Sequence, residues 1–318
     1  MNTQETTITT PNADQGGLLL PGLDGSNPLG FLAALGVLRV LSKESPIQMK
    51  WTPSGGTWVP VIVEGECSID DLLVRLRRCI NSYDNHMWVL DKKLPFKESK
   101  FRDSAKDALS KSTNSCRNDV DILASFGIEL FSNDKGMFDD TALRMVRTGD
   151  YAGNGLLAYG SRICEETTDD NLRDALTTSW TYSDTRCALR WDPHENHSYA
   201  LQWTDPSKEK TVSVRGANRL AMAAMPLMPT IPLKTGARTT CFGFPDGKTE
   251  SMTWPLWNRP SRLATVQSIL SLGQLQENKP SAIPLAERGV AAVYRCDRMK
   301  PNKYYRNFTP ARCIVSMK

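Results

Sequence analysis

The stretch from Asn27 to Leu41 constrains this chain more than any other part of it. Asn27 suits a helix N-cap, because its side-chain oxygen accepts from the free amides of the first turn. Pro28 suits the first helical position, where no amide hydrogen bond is lost. From Leu29 to Leu41 the residues are apolar nearly all round, with Arg39 the exception. Such a helix has no face to give to water, so the rest of the fold must wrap it. Gly30, Ala33, Ala34 and Gly36 keep part of its surface thin and permit close backbone packing. Before it, Gly22-Leu23-Asp24-Gly25-Ser26 reads as the turn that opens the helix. The uncharged run Leu29–Leu38 is far short of the about 20 residues that a bilayer span needs.

Around this helix the patterns alternate between strand and helix. Trp51 to Val63 reads as two short strands about a Ser54-Gly55-Gly56 turn. Ser68-Ile69-Asp70-Asp71 is a capping-box variant before an amphipathic helix from Leu72 to Ile80, and Thr167 to Asp170 caps another that reaches about Thr178. Residues 91–117 read as a loop or an exposed helix, Val120 to Phe131 as a helix, and 139–165 as a mixed, glycine-rich stretch. Tyr199 to Trp203 alternates like a strand. Gly216 to Met225 is a small-residue helix stopped by Pro226, and Pro226 to Pro232 is extended. Ser251 to Trp257 is strand-like, Ser261 to Leu272 is a helix stopped at Gly273, and Gly289–Arg295 and Cys313–Met317 are late strands. This interspersion lacks regular βαβ spacing. The expected class is α+β, with mixed sheets, interspersed helices and a buried N-terminal apolar helix.

A formal net charge of +4 conceals an uneven distribution. Residues 1–100 carry 10 basic and 11 acidic side chains, residues 101–200 carry 11 and 17, and residues 201–318 carry 18 and 7. An acidic middle joined to a basic final third suggests a polyanionic partner or an acidic neighbouring subunit. With it comes an expected division into a disordered tail (1–16), an N-terminal α+β domain (17–185) and a basic C-terminal α+β region (186–318). Met1 to Thr10 is polar and lacks a basic residue, so it does not read as a signal peptide. The eight cysteines are never closer than twelve residues and form no CxxC pair. They read as buried, reduced thiols of a cytoplasmic protein.

Motifs for catalysis are weak. The turn at Gly22 is neither GxGxxG after a strand nor GxxxxGK[ST], so a capped core helix is favoured over a phosphate cradle. Asp192, His194 and His197 could present metal ligands from a turn, which leaves a metal-dependent enzyme as an outside alternative. The pattern is not HExxH, and a solvated turn is favoured. No GxSxG exists. Asp70-Asp71 and Asp169-Asp170 sit where helix starts prefer acids. No catalytic residue, metal or cofactor is expected.

Binding chemistry is better represented. From Ala286 to Lys318 there are eight basic residues, among them Arg288, Arg295, Arg298, Lys300, Lys303, Arg306 and Arg312, opposed only by Glu287 and Asp297. Tyr294, Tyr304, Tyr305 and Phe308 are interleaved with them. Cations supply salt-dependent phosphate contacts and aromatic faces stack on bases, which marks this segment as a nucleic-acid candidate. Arg215 and Arg219 oppose the dipole at a helix start and must gain from an ion pair, a phosphate or packing.

Four stretches together resemble proteins of type I-G (formerly I-U) CRISPR systems. They are Leu20 to Leu41; Trp191-Asp192-Pro193 with Tyr199 to Pro206; Gly216 to Leu220 with Pro226 to Pro229; and Trp254 to Trp257. The chain is similar to the large Cascade-subunit families of that subtype and to the family that extends the CRISPR helicase-nuclease. The resemblance implies a non-enzymatic subunit of an RNA-guided DNA-targeting complex. Its partners would be other effector subunits, guide RNA or target DNA, and the helicase-nuclease. It makes Gly22, Asp24, Asn27 and Pro28 the family motif, structural or at an interface, and brings no catalytic residues. At 318 residues the chain is much shorter than the usual large subunit.

Overall fold

A computed structural model describes residues 17–63, 67–82, 85–113, 116–146, 153–195, 212–234, 236–300 and 306–317. The expected tail at 1–16 and the expected strand at Tyr199–Trp203 lie outside these residues. In chain order the first elements are β1 (Leu18–Leu19), α1 (Pro28–Leu41), β2 (Gln48–Ser54), β3 (Thr57–Val63), α2 (Ile69–Ser82), α3 (Glu98–Lys111) and α4 (Asn118–Phe126). Next come β4 (Gly127–Ser132), β5 (Phe138–Asp140), α5 (Leu156–Glu166), α6 (Asp169–Thr177), α7 (Arg215–Ala224), β6 (Thr230–Leu233), β7 (Gly236–Thr239) and β8 (Phe242–Gly243). The last are β9 (Ser251–Trp257), α8 (Leu263–Leu270), α9 (Ala282–Glu287), β10 (Val290–Met299), β11 (Asn307–Phe308) and β12 (Arg312–Ser316). The architecture is mixed α+β. One antiparallel sheet has the order β1-β3-β2. A larger one runs β11-β10-β9-β8 with β12 also on β10, and β4-β5 and β6-β7 form separate pairs.

Every residue of α1 is buried, and α7, β2 and β9 are among the elements that cover it. Helix α7 lies against one side so closely that a Cβ on Gly36 would stand 1.8 Å from the carbonyl oxygen of Leu220. On another side Phe31 stacks on Trp51 of β2 and on Trp254 of β9, with ring centroids 6.1 and 5.8 Å apart. Trp257 meets Trp51 edge-on at 6.1 Å. Buried indoles need an acceptor for their N–H. Trp254 donates to the Gly25 carbonyl at 2.8 Å and Trp257 to that of Met49 at 2.7 Å. Arg39 is buried with the helix and donates to the Ala223 carbonyl of α7 at 2.9 Å.

The core therefore runs from Leu20 to Phe308 and crosses the 185/186 division drawn from charge. Strand β9 shows why: all seven of its residues are buried. It lies between β8 and β10 in the larger sheet and turns Trp254 toward Phe31.

The helix starts follow their capping signals. Ser68 and Asp71 exchange hydrogen bonds at the head of α2, and Thr168 with Asn171 forms a full capping box on α6. Within 91–117 the chain forms helix α3. The helix expected over Val120–Phe131 ends early, at Phe126. A side chain on Gly127 would meet the Asp139 carbonyl at 2.3 Å, and the chain pairs there with β5 instead. After α7, a short turn at Met225–Leu227 precedes β6, where extended chain was expected. The cysteines are free, but Cys116 and Cys313 are exposed, contrary to the expectation of burial. Among the described residues no helix is long and apolar enough to cross a membrane.

Gly36→Ala should lower stability by about 1–3 kcal/mol, because its methyl has only the Leu220 backbone to displace. Chemical denaturation reads this directly, and an unchanged midpoint would show that α1 and α7 are not held at this spacing.

Candidate functional site

The basic candidates divide by what their guanidinium groups already hold. Arg295 of β10 is buried. It donates to Thr253 Oγ1 at 2.8 Å and to the carbonyls of Leu275, Glu277 and Asn278 at 3.1, 2.6 and 3.1 Å. It ties the sheet to the turn after α8, and burial lowers its pKa. Arg298 is half-buried, forms an ion pair with Glu250 and also donates to the Arg144 carbonyl at 3.2 Å. Arg312 is exposed but grips both oxygens of Asp297, at 2.9 and 3.2 Å. On α7, Arg219 is buried and donates to the Ile80 carbonyl at 3.0 Å. Arg215 bridges Asp184 at 2.9 Å and Glu166 at 3.0 Å. Burial works against ionisation of Asp184, yet the bonds from Arg215 and the Arg186 amide hold its pKa below the usual range.

These five arginines of the nucleic-acid set already hold acceptors within the chain, four of them at buried or half-buried positions and Arg312 at an exposed one. Phe308 belongs to the core, and Tyr294 stacks on Trp254 at 6.2 Å. Arg306 is half-buried, and its amide donates to the Met145 carbonyl at 2.8 Å. Lys303, Tyr304 and Tyr305 lie outside the described residues. Arg288 and Lys300 remain exposed.

The structure adds two cations to Arg288. Strand β9 ends at Trp257, opposite Val290 at the start of β10. Arg259 and Arg262 follow the first strand and Arg288 precedes the second, so all three share one end of the sheet. The Arg259 stem lies 3.6 Å from where a Cβ on Gly289 would stand. All three are exposed, and no described carboxylate pairs with them. Arg288 donates to the Pro284 carbonyl at 2.6 Å. The signal for Arg259 and Arg262 was two cations flanking Pro260 in a turn, but their distance from Arg288 along the chain hid the grouping.

A second cluster forms where the motif residues meet. Asn27 Oδ1 accepts from the amides of Leu29 at 2.8 Å and Gly30 at 3.3 Å, while its Nδ2 donates to Asp192 Oδ1 at 3.0 Å. Asp192 is buried. Its Oδ1 also accepts from the His194 amide at 2.9 Å, and its Oδ2 from the Tyr182 hydroxyl at 2.9 Å. Burial and Asp192 push the Tyr182 phenol far up, so it stays a donor. Its ring packs on His194 with centroids 4.0 Å apart. Tyr182 and Arg190 have φ of 50° and 61°. Left-handed backbone costs a bulky residue about 1 kcal/mol or more, which this network offsets.

The remaining motif residues build the same junction. Asp24 accepts from the amide and hydroxyl of Ser26 at 2.8 and 2.7 Å. Gly22 donates its amide to the Leu176 carbonyl at 2.9 Å, and a Cβ there would meet the Ala175 carbonyl at 2.4 Å. Pro28 begins the buried helix. Asp192 thus acts as a structural acceptor with three donors on its oxygens. His197 lies outside the described residues, and among those described no group of three His, Cys, Asp or Glu could hold a metal ion. No known protein family matches this chain, and no curated protein does.

Asn27→Asp retains a good N-cap acceptor but sets a second carboxylate against Asp192. It should destabilise the protein at pH 7 by about 1–3 kcal/mol, and the loss should shrink as pH falls through the carboxylate range. Denaturation midpoints at pH 7 and pH 4 check this. A pH-independent loss would remove the electrostatic cause.

Proposed function

We propose that this chain is a non-catalytic, cytoplasmic subunit of a type I CRISPR RNA-guided DNA-targeting complex. In this reading it holds nucleic-acid backbone or the flanking duplex motif and supports antiviral defence. In such complexes guide pairing reads the target while protein subunits grip backbones and a short duplex motif. The observation that carries the contact is the exposed group Arg259, Arg262 and Arg288 at one end of the larger sheet, with no carboxylate partner among the described residues. Support for the system comes from the four motifs of the resemblance, whose described parts meet around one helix. Asn27 bonds Asp192, Gly36 seats Leu220, and Trp254 bonds Gly25.

A second reading has its own observation. Arg295, Arg298 and Arg312 are engaged inside the fold, which leaves the C-terminal segment less free charge than its composition suggests. The arginine end of the sheet then docks an acidic surface of another effector subunit or of the helicase-nuclease.

The triple variant Arg259→Ala/Arg262→Ala/Arg288→Ala separates the two. The first reading expects weaker binding to duplex and single-stranded DNA, with the slope of log K against log salt reduced by about 2–3. Unchanged DNA binding with lost co-purification of effector subunits would favour docking instead.

A further inference from the structure

Glu195 and Asn218 are both fully buried, and among the described residues each has an oxygen without a hydrogen-bond partner. Glu195 Oε2 accepts from the Arg190 amide at 2.5 Å, while Oε1 is orphaned. Asn218 gives its amide hydrogens to Ser213 Oγ and the Val214 carbonyl, both at 3.2 Å, and its Oδ1 is orphaned. The amide cannot be turned round without loss. Ser213 Oγ already donates to the Cys187 carbonyl at 3.2 Å, so it faces Asn218 as an acceptor, and the Val214 carbonyl can only accept. The Asn218 side chain stands within hydrogen-bonding reach of the Glu195 carboxyl. With its amide hydrogens committed to Ser213 and Val214, Asn218 has its oxygen left to satisfy, and of the two side chains only Glu195 can acquire a hydrogen.

We propose that Glu195 holds a proton at neutral pH and donates it to Asn218 Oδ1, making the junction of the 190–195 turn with α7 a buried proton site. Among the described residues, the groups that face it from each packed element are these. On its own turn, Asp192 opposes a second negative charge and Arg190 favours one. The Arg190 guanidinium donates to the Glu195 carbonyl at 3.4 Å and to Asn307 of β11 at 3.2 Å. The Tyr182 phenol is neutral and directed at Asp192, and the exposed His194 ring packs on Tyr182. From α7 the facing group is the neutral Asn218, since Arg219 reaches the Ile80 carbonyl. Burial, followed by Asp192, raises the Glu195 carboxyl well above the usual range against the pull of the Arg190 guanidinium, the Arg190 amide and the Asn218 side chain. The proton latches the strained backbone of Arg190 to the helix that packs on α1.

The sign of the pH dependence follows. The folded state keeps a proton that the unfolded chain releases near the ordinary value of 4.5. The contribution of Glu195 is full below that pH. It falls by about tenfold in the folding constant per pH unit as pH rises toward the folded pKa. Glu195→Gln supplies a permanent N–H in place of the proton and removes this slope. Between pH 5 and 7 the folding constant of E195Q, divided by that of the wild type, should therefore rise by about tenfold per pH unit. A constant ratio, with E195Q the less stable at pH 7, would overturn the proposal. Should E195Q fail to fold, infrared spectra of wild-type protein carrying 13C-labelled glutamate decide at pH 7. A protonated carboxyl C=O band is expected, and its absence overturns the proposal.

Discussion

The backbone approach between Gly36 of α1 and Leu220 of α7 is the contact on which the rest of the molecule depends. An all-round apolar helix gains about 1.5–3 kcal/mol for each large side chain it buries, but only if every face finds a partner. Glycine at position 36 lets α7 close one face at backbone distance. Phe31 then turns another face to Trp51 and Trp254, so the two sheets are set by their tryptophans relative to α1. The indole N–H groups of Trp254 and Trp257 end on carbonyls from other parts of the chain, which orients the packing as well as filling it.

Asn27 couples that core to the polar junction. Its oxygen terminates the helix and its nitrogen anchors Asp192, so the turn that carries Tyr182, Arg190 and Glu195 is registered against the start of α1. Backbone strain at Tyr182 and Arg190 persists because hydrogen bonds over-determine these positions. The junction lies at the head of the helix, and α7 joins it from one side through Asn218. Packing and polar satisfaction are thus solved together in one place.

Charge behaves differently from apolar pattern. Arg295 and Arg288 are the same residue type seven positions apart, yet one is buried among carbonyls and the other faces water. The basic composition of the last third therefore overstates the cations available to a partner. It also does not say where they gather, since Arg259 and Arg262 join Arg288 because β9 and β10 pair antiparallel.

Local chemistry was legible in the sequence where the partners are close along the chain. Asn27 and Pro28 mark the start of α1, Thr168 with Asn171 the start of α6, and Ser251 to Trp257 an apolar strand, because caps and strand patterns are satisfied within a few residues. The end of α4 was not legible, since the space at Gly127 is taken by Asp139 of a later strand. Nor were the fates of Arg215, Arg219, Arg295, Arg298 and Arg312, whose acceptors stand between 15 and 154 residues away. Sequence alone determined that an apolar helix must lie inside and that positive charge gathers late in the chain. Tertiary structure alone decided which cations reach solvent and which acids lose it. A guanidinium or carboxyl is assigned by the donors and acceptors folded around it, and most of these are distant in sequence.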